Sequence, residues 1–197
     1  MIYINGTSGF IAGNLIKAFP KESIISLPRR IPDHILSKGD IFIQMASPSD
    51  KFDFENKEET ITSMLDDVYH NIDIVKKCNG IFIFASSEAI YEDNNTYGAF
   101  KIAIMRYLKH SNIQYINLII PRVYGKDRPK GLMKQIKLKT IPEQDLNKVI
   151  KFIDIEDFVK VLKQKIDNYI SYLYRDIKFD TTNKMTIKEI KEFYKFG

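Results

Sequence analysis

The sequence contains one cysteine, three histidines and no tryptophan. Cys78 has no partner for a disulfide framework, and we interpret it as a buried thiol in a helical pattern. His34, His70 and His110 are too scattered along the chain to suggest a cluster of metal ligands. We therefore expect no metal site.

Long hydrophobic runs are also missing. The longest apolar stretches span four to six residues, far short of the roughly 20 residues that cross a bilayer. No basic, hydrophobic and small-residue leader opens the chain. With 44% hydrophobic and 28% charged residues, the composition predicts a globular, cytoplasmic protein with no membrane partner.

Charge is unevenly distributed along the chain. Residues 1–100 carry 9 Lys+Arg and 14 Asp+Glu, a net −5, whereas residues 101–197 carry 21 and 11, a net +10. A basic second half can attract a polyanion. Because no nucleic-acid motif accompanies the charge, we expect a phosphorylated small molecule rather than a nucleic acid as the partner.

The N-terminus predicts the phosphate-binding half of a dinucleotide fold. Residues 2–5 form a short apolar strand, a glycine turn follows, and apolar residues then recur at helical spacing until Pro20. Gly6 allows a tight turn, and Gly9 allows backbone N–H groups to approach a pyrophosphate at a helix N-terminus.

The end of the second predicted strand, residues 23–27, should contact the adenosine ribose. An acidic residue there would indicate NAD. This chain has Arg29 and Arg30 instead, and two guanidinium groups suit a 2′-phosphate. We therefore predict NADP(H), with NAD(H) as the alternative; the two arginines could also be exposed loop cations.

The next connection is short. Only residues 28–39 separate this strand from the third, at 40–46, which leaves room for one short helix and no extra strand. We therefore predict a trimmed sheet edge on the adenine side. The third strand ends near Ala46 and Ser47, which we place beside the middle of the cofactor.

A serine strand and a Tyr-x-x-x-Lys helix carry the predicted chemistry. An apolar run at 81–84 leads to Ser86 and Ser87, and Tyr97 and Lys101 follow, one helical turn apart. An ammonium beside a phenol should lower the pKa of Tyr97, and Ser87 can hydrogen-bond a carbonyl or alcohol. These groups suit proton transfer to an oxygen while hydride moves at its carbon.

The other segments complete an α/β pattern. We predict an amphipathic helix at 58–77, a strand at 115–120, weak helical character at 126–139, and a strand-to-helix segment from 152 to about 170. A last strand at 177–179 and a final helix capped by Thr186 and Glu189 follow. The helices at 58–77 and 97–110 are candidates for a homodimer interface, and packing on their own sheet is the alternative.

Six motifs in this order resemble the extended short-chain dehydrogenase/reductase family, whose members include nucleotide-sugar epimerases, dehydratases and reductases. They are Gly6-x-x-Gly9-Phe10-Ile11, Ser86-Ser87-x-x-x-Tyr91, Tyr97-x-x-x-Lys101, Val123-Tyr124-Gly125, Phe152-Ile153-x-x-x-x-Asp157 and Thr186-x-x-Glu189. The resemblance implies a Rossmann-like, doubly wound parallel sheet at 1–125 and a small substrate lobe at 126–197, partly interleaved with the core. It also implies that Ser87 orients the substrate oxygen, that Tyr97 is the acid/base, and that Lys101 holds the nicotinamide ribose.

Departures from the family pattern narrow the chemistry. The chain is shorter than usual for the family, and Arg122 replaces the asparagine that usually precedes Val-Tyr-Gly. Glu88 and Ala89 stand where the 4,6-dehydratases have an acid pair, and the cysteine of the double epimerases is also absent there. Of the chemistries in the family, these departures leave hydride transfer with protonation at oxygen.

Three functions follow as hypotheses. The first is NADPH-dependent reduction of a 4-keto-6-deoxy nucleotide sugar, such as those that feed bacterial surface polysaccharides. The second is a nucleotide-sugar 4-epimerase with tightly bound NAD. The third is a non-catalytic, dinucleotide-binding regulatory relative, whose members typically lose the Tyr-Lys pair.

The predicted site residues fall into three groups. The catalytic residues are Ser87, Tyr97 and Lys101. The cofactor residues are Gly6, Thr7, Ser8, Gly9, Phe10, Ile11, Arg29, Arg30, Ala46, Ser47, Tyr97, Lys101 and Ile120. The substrate residues are Ser87, Glu88, Arg122, Lys126 and Arg128.

Overall fold

The computed structural model describes residues 1–47, 58–93 and 95–196. In these residues the strands are β1 (Ile2–Asn5), β2 (Ile24–Leu27), β3 (Ile41–Gln44), β4 (Ile81–Ser87), β5 (Gln114–Ile120), β6 (Val123–Tyr124), β7 (Val149–Asp154), β8 (Arg175–Lys178) and β9 (Asn183–Thr186). The α-helices are α1 (Phe10–Lys17), α2 (Glu58–Lys77), α3 (Thr96–His110), α4 (Gly131–Lys137), α5 (Ile155–Asp167) and α6 (Ile187–Phe193).

Six strands form one parallel sheet in the order β2-β1-β3-β4-β5-β8. Helices α2 and α3 cover one face, and α1 and α5 cover the other. Because both faces are covered, the central strands are largely apolar on both sides: Phe42 and Phe82 pack toward α2 and α3, whereas Ile43 and Ile83 pack toward α1 and α5. The predicted doubly wound sheet is confirmed, and so is its trimmed edge, where β2 is the outermost strand.

A smaller sheet stands beside the carboxyl end of the main one. Strand β7 pairs with β6 in parallel and with β9 in antiparallel orientation. A separate core of Tyr124, Met133, Phe152 and Ile190 lies under it. The segment after residue 125 also returns to the main sheet through β8 and packs α5 against α1, so the second part of the chain is interleaved with the first.

Helix α2 spans the predicted residues, and the predicted capping box of α6 is present: Glu189 N donates to Thr186 Oγ1, and Thr186 N donates to Glu189 Oε2. Residues 28–39 contain no extra strand, as expected, and the short helix for which they have room does not form. Pro28 and Pro32 disfavour a helix, and buried side chains satisfy part of this backbone. One expectation was wrong. Strand β8 is not the last strand: β9 follows it, and its polar sequence becomes extended only by pairing with β7.

No helix in the described ranges combines the length and apolarity that a membrane crossing requires.

Candidate active site

A cleft of about 1140 Å³ opens at the carboxyl ends of the central strands, between the glycine turn and the small sheet. Its lining includes Gly9 at the start of α1, Ser87 at the end of β4 and Tyr97 on α3, and also Arg122, Arg128 and Lys151. Ligands of open α/β sheets bind at this end of the strands. The fold therefore places the predicted chemistry in one ligand-sized space.

The glycine turn has the shape that a dinucleotide pyrophosphate needs. Gly6 has a φ of +72°, and a Cβ added there would lie 2.7 Å from the backbone nitrogen of Ala46, so only glycine fits. Helix α1 begins at Phe10, and its N-cap Gly9 supplies no side chain to occupy the first N–H groups. Those donors and the helix dipole remain available to an anion at the cleft.

Strand β4 and helix α3 bring Ser87 and Tyr97 together. Gly98 makes this possible, because a Cβ at that position would lie 2.3 Å from the carbonyl oxygen of Ala89 in the turn after β4. Hydrogen bonds join the Tyr97 hydroxyl to Ser47 and Ser87. Ser86 points elsewhere and donates to Met105 Sδ at 3.1 Å, so the strand presents one of its two serines to Tyr97.

Lys101 is deeply buried, with 1% of its surface exposed. Its Nζ donates to Ala85 O at 2.7 Å and to Ser47 Oγ at 2.8 Å. Both acceptors are neutral, and burial lowers the pKa of Lys101 to about 7. The side chain of Lys101 can therefore exchange between its ammonium and its neutral amine form near neutral pH.

The predicted fall in the pKa of Tyr97 is wrong. Burial raises its pKa, and the hydrogen bonds from Ser47 and Ser87 and the positive charge of Arg128 only partly offset that increase. Desolvation penalises a buried phenolate more than these contacts favour it. The Tyr97 hydroxyl therefore keeps its proton at neutral pH and can act as a donor.

The positive charge that partly offsets the rise in the pKa of Tyr97 comes from Arg128. Its Nη1 donates to the carbonyl oxygen of Val123, and its guanidinium carbon lies 5.7 Å from the centre of the Phe10 ring. Burial lowers the pKa of Arg128, while the nearby phenols of Tyr124 and Tyr97 raise it. The arginine thus links the small sheet to the start of α1 across the cleft.

Arg29 and Arg30 face helix α2. Arg29 Nε lies 2.5 Å from Asp67 Oδ2, and Arg30 Nη1 lies 3.6 Å from Asp67 Oδ1. Arg29 also donates to Ser63, and Arg30 hydrogen-bonds the His70 ring. One carboxylate therefore neutralises part of the charge on which the NADP(H) prediction rests.

Most of the predicted site residues line the cleft. They are Gly6, Ser8, Gly9, Phe10, Ile11, Ser47, Ser87, Glu88, Tyr97, Lys101, Ile120, Arg122 and Arg128. Thr7, Arg29, Arg30, Ala46 and Lys126 are not among the described lining residues. Thr7 instead hydrogen-bonds Ser26 at 2.7 Å, and Ala46 N donates to Asn5.

Sequence reasoning missed three cations that line the cleft, Lys130, Lys151 on β7 and Lys184 on β9. Lys151 and Lys184 are directly opposite each other in the antiparallel register, and both are exposed. Like charges in such a pair repel each other, and an anion between them would remove that cost. The alternation of exposed positions along β7 was the only signal that pointed to this lysine pair. The sequence did not identify β9 as the strand that pairs with β7.

Among the described residues, no group of three or more His, Cys, Asp or Glu side chains is arranged to hold a metal ion.

No family model matches the sequence, and the search of curated proteins found no significant match. Solved structures match it over nearly its whole length. The Bordetella bronchiseptica enzyme WbmH in complex with NAD+ has a TM-score of 0.73 at 15% identity, with 98% of this chain and 79% of that chain covered.

Two epimerases are similar to the same extent. UDP-glucose 4-epimerase of Thermus thermophilus, in complex with NAD, has a TM-score of 0.74 at 15% identity, covering 100% of this chain and 84% of that one. UDP-N-acetylglucosamine 4-epimerase of Methanobrevibacter ruminantium, in complex with UDP-N-acetylmuramic acid, has a TM-score of 0.74 at 18% identity, covering 97% and 79%.

The chain thus has a Rossmann-like α/β fold. More specifically, it has the fold of these three solved structures, in shortened form, which is the fold that the motif resemblance predicts.

Proposed function

We propose that this chain transfers hydride between a nicotinamide dinucleotide and a secondary alcohol or ketone of a nucleotide-linked sugar. One observation carries the proposal: the Tyr97 hydroxyl, bonded to Ser87 and Ser47, shares a cleft with the uncapped glycine turn. It is supported by the similarity to two UDP-sugar 4-epimerases, one of which was solved in complex with NAD.

The residues of the chain have separate tasks in this proposal. Gly6, Gly9 and the first N–H groups of α1 hold the pyrophosphate of the dinucleotide, which supplies or accepts the hydride when bound. Tyr97 gives a proton to the substrate oxygen or takes one from it. Ser87 donates a hydrogen bond to that oxygen, a contact worth roughly 3 kcal/mol for a single donor in other enzymes.

Lys101 keeps Ser47 in place and completes the proton path. Its bonds to Ala85 O and Ser47 Oγ fix the ammonium behind the Tyr97 phenol. Because the pKa of Lys101 is about 7, its ammonium can give a proton through the Ser47 hydroxyl to the Tyr97 phenolate after Tyr97 has given one away, and the resulting amine takes up a proton before the next turnover. Arg128 stabilises negative charge that develops on Tyr97.

Two reactions share these residues. Reduction of a 4-keto-6-deoxy nucleotide sugar by NADPH is favoured by Arg29 and Arg30, provided that a 2′-phosphate displaces Asp67 from them. Epimerisation at C4 with tightly bound NAD is favoured by the similar epimerase structures. Ala89 provides no acid at the base position of a dehydratase, and the retained Ser87, Tyr97 and Lys101 count against a regulatory role.

The deciding experiment begins with the cofactor content of the purified chain. Loss of NADPH absorbance is then measured against 4-keto sugars made in situ from dTDP-, CDP-, GDP- and UDP-hexoses. Stoichiometric bound NAD, with sugar interconversion and no NADPH consumption, would identify the epimerase. Absence of both dinucleotide binding and turnover across the panel would refute the proposal.

The lysine pair on the small sheet should bind the negative charge of the substrate. Replacing both Lys151 and Lys184 by Met is expected to raise KM for the nucleotide sugar about tenfold at low salt and less at high salt, because salt screens exposed charges. A matched control replaces Lys160 and Lys188, which lie outside the cleft lining. Equal effects of the two double variants would contradict this role.

Asp67 should control cofactor preference through the arginines. Replacing Asp67 by Asn frees both guanidinium groups and is expected to raise the NADP(H)/NAD(H) ratio of kcat/KM about fivefold or more, since a phosphate pairs strongly with arginine. Replacing Arg29 and Arg30 by Gln should lower the ratio. A ratio unchanged in all variants would show that the arginines are surface cations only.

We also propose a homodimer through α2 and α3. Both helices bury one apolar face on their own sheet. The ring of Tyr69 on α2 contacts the ring of Tyr107 on α3, with 4.5 Å between the ring centres. Tyr107 is 39% exposed and so can contact a second copy of the chain. Sedimentation should give the mass of two chains for the wild type. It should give a single-chain mass when Tyr107 is replaced by Glu.

A further inference from the structure

Three buried amide side chains lie beneath the cleft and outside its described lining. Asn5 of β1, Gln44 of β3 and Asn71 of α2 are 0%, 1% and 0% exposed. We call them the amide cluster. Burying three primary amides is costly unless their donors and acceptors are paired, and the cluster pairs them with one another and with two backbone loops.

One end of the cluster holds the loop after β2. The carbonyl oxygen of Arg29 accepts from Asn71 Nδ2 at 2.8 Å and from Asn5 Nδ2 at 3.0 Å. The backbone N–H of Ile31 donates to Asn71 Oδ1 at 2.9 Å. This loop forms no helix that would pair its backbone N–H and carbonyl groups. The side-chain amides of the cluster pair some of these groups instead.

The other end holds the turn after β3. Asn5 Oδ1 accepts from the backbone N–H groups of Met45 and Ala46, each at 2.8 Å. Gln44 Nε2 donates to Ala46 O at 2.9 Å. Ser47 follows at once, and its hydroxyl is the acceptor for Lys101 Nζ.

Gln44 joins the two ends. Its Oε1 accepts from Asn71 Nδ2 at 2.8 Å and from Asn5 Nδ2 at 3.0 Å. The backbone partners of the cluster are fixed as donors or acceptors, so each amide has one orientation that satisfies it. Such a fully paired network should behave as one rigid unit.

We propose that Asn71 is a positioning residue, which couples the loop at 28–31 to Ser47 through Gln44 and Asn5. The hydrogen bonds of Asn71 within the described residues go to Arg29, Ile31 and Gln44, and Asn71 is not among the described lining residues of the cleft. An effect of Asn71 on Ala46 or Ser47 that travels by hydrogen bonds therefore passes through the cluster. The adenosine end of the predicted cofactor site and the Ser47–Lys101 contact are thereby held in one geometry. The consequence for catalysis rests on the proposed function, whereas the coupling itself does not.

Backbone amide exchange of the full chain tests the coupling without requiring activity. In Asn71→Ala, exchange at Ile31 should accelerate because its acceptor is removed. Exchange at Met45 and Ala46, whose acceptor Asn5 is unchanged, should accelerate about tenfold or more if the cluster acts as a unit. Acceleration confined to Ile31 would overturn the proposal, and so would no acceleration at all. Asn168→Ala, which removes an exposed amide bonded to Gln164 O, is the control and should leave all three amides unchanged.

A second variant covers the case in which Asn71→Ala does not fold. Gln44→Met nearly conserves volume and removes only the polar contacts. The acceptor of the Ile31 N–H is Asn71 and not Gln44, so faster exchange at Ile31 supports the coupling, and unchanged exchange there overturns it.

A double-mutant cycle on the kcat of the holoenzyme tests the catalytic consequence. Asn71→Ala should lower kcat about tenfold in the wild-type background but less than about twofold when Ser47 is already Ala, because the two changes then act on one path. Equal losses in both backgrounds would show a general structural effect and would overturn the catalytic consequence. If the wild type has no turnover, the proposed function fails, and amide exchange still decides whether Asn71 couples the two loops.

Discussion

Replacing Tyr97 by Phe is expected to lower kcat by about 10²- to 10⁴-fold, the usual contribution of a positioned proton donor. Phenylalanine keeps the ring and its packing and removes only the hydroxyl that bonds Ser47 and Ser87. The binding of the dinucleotide should therefore change little. Single-turnover hydride transfer and calorimetric titration with ADP-ribose measure the two effects separately.

Tyr174→Phe is the matched control, because Tyr174 is 59% exposed and lies outside the described lining of the cleft. It should keep wild-type kcat. If Tyr97→Phe also kept wild-type turnover, the proton would have to come from another group, and the proposed reaction would lose its acid/base. The regulatory alternative predicts that outcome together with intact dinucleotide binding.

Replacing Lys101 by Met is expected to abolish the pH dependence that Lys101 imposes on stability. Burial lowers the pKa of Lys101 from 10.5 to about 7, so between these values the unfolded chain binds more protons than the folded chain. Stability of the wild type should therefore rise from pH 7 toward pH 10, and the cost of the buried charge is fully present below pH 7. Relative to wild type, the methionine variant should gain more at pH 6 than at pH 9.

Urea denaturation of both proteins at the two pH values measures this difference. Lys109→Met is the control, because Lys109 is exposed on the same helix, and it should show no such change. A variant whose stability relative to wild type is the same at both pH values would show that Lys101 does not titrate between them. Catalytic turnover of Lys101→Met should also fall at both pH values, since Ser47 loses its donor.

Local sequence patterns predicted the strands of the main sheet and its helices because the pattern of each element lies within a short segment of the chain. The strand before Gly6, the apolar run before Ser87 and the periodicity of α2 each identify one element of the observed fold. The short distance from β2 to β3 likewise predicted the trimmed edge. These features depend on neighbours in sequence, which a single chain displays directly.

The remaining features depend on contacts between distant segments. The direction of the pKa change at Tyr97 follows from burial in the folded protein, which the Tyr-x-x-x-Lys spacing does not reveal. Arg29 and Arg30 look like phosphate ligands until Asp67, almost forty residues later, is placed beside them. The Lys151–Lys184 pair requires a strand, β9, whose own sequence carries no strand pattern.

With β2 at the margin of the main sheet, no strand among the described residues pairs with its outer side. An edge strand can act as a template on which a second molecule adds a strand. Here that edge is only four residues long, from Ile24 to Leu27, and Pro20 and Pro28 lie close to its two ends. Because proline cannot donate to a ladder, these two residues limit how far a second strand could pair along this edge.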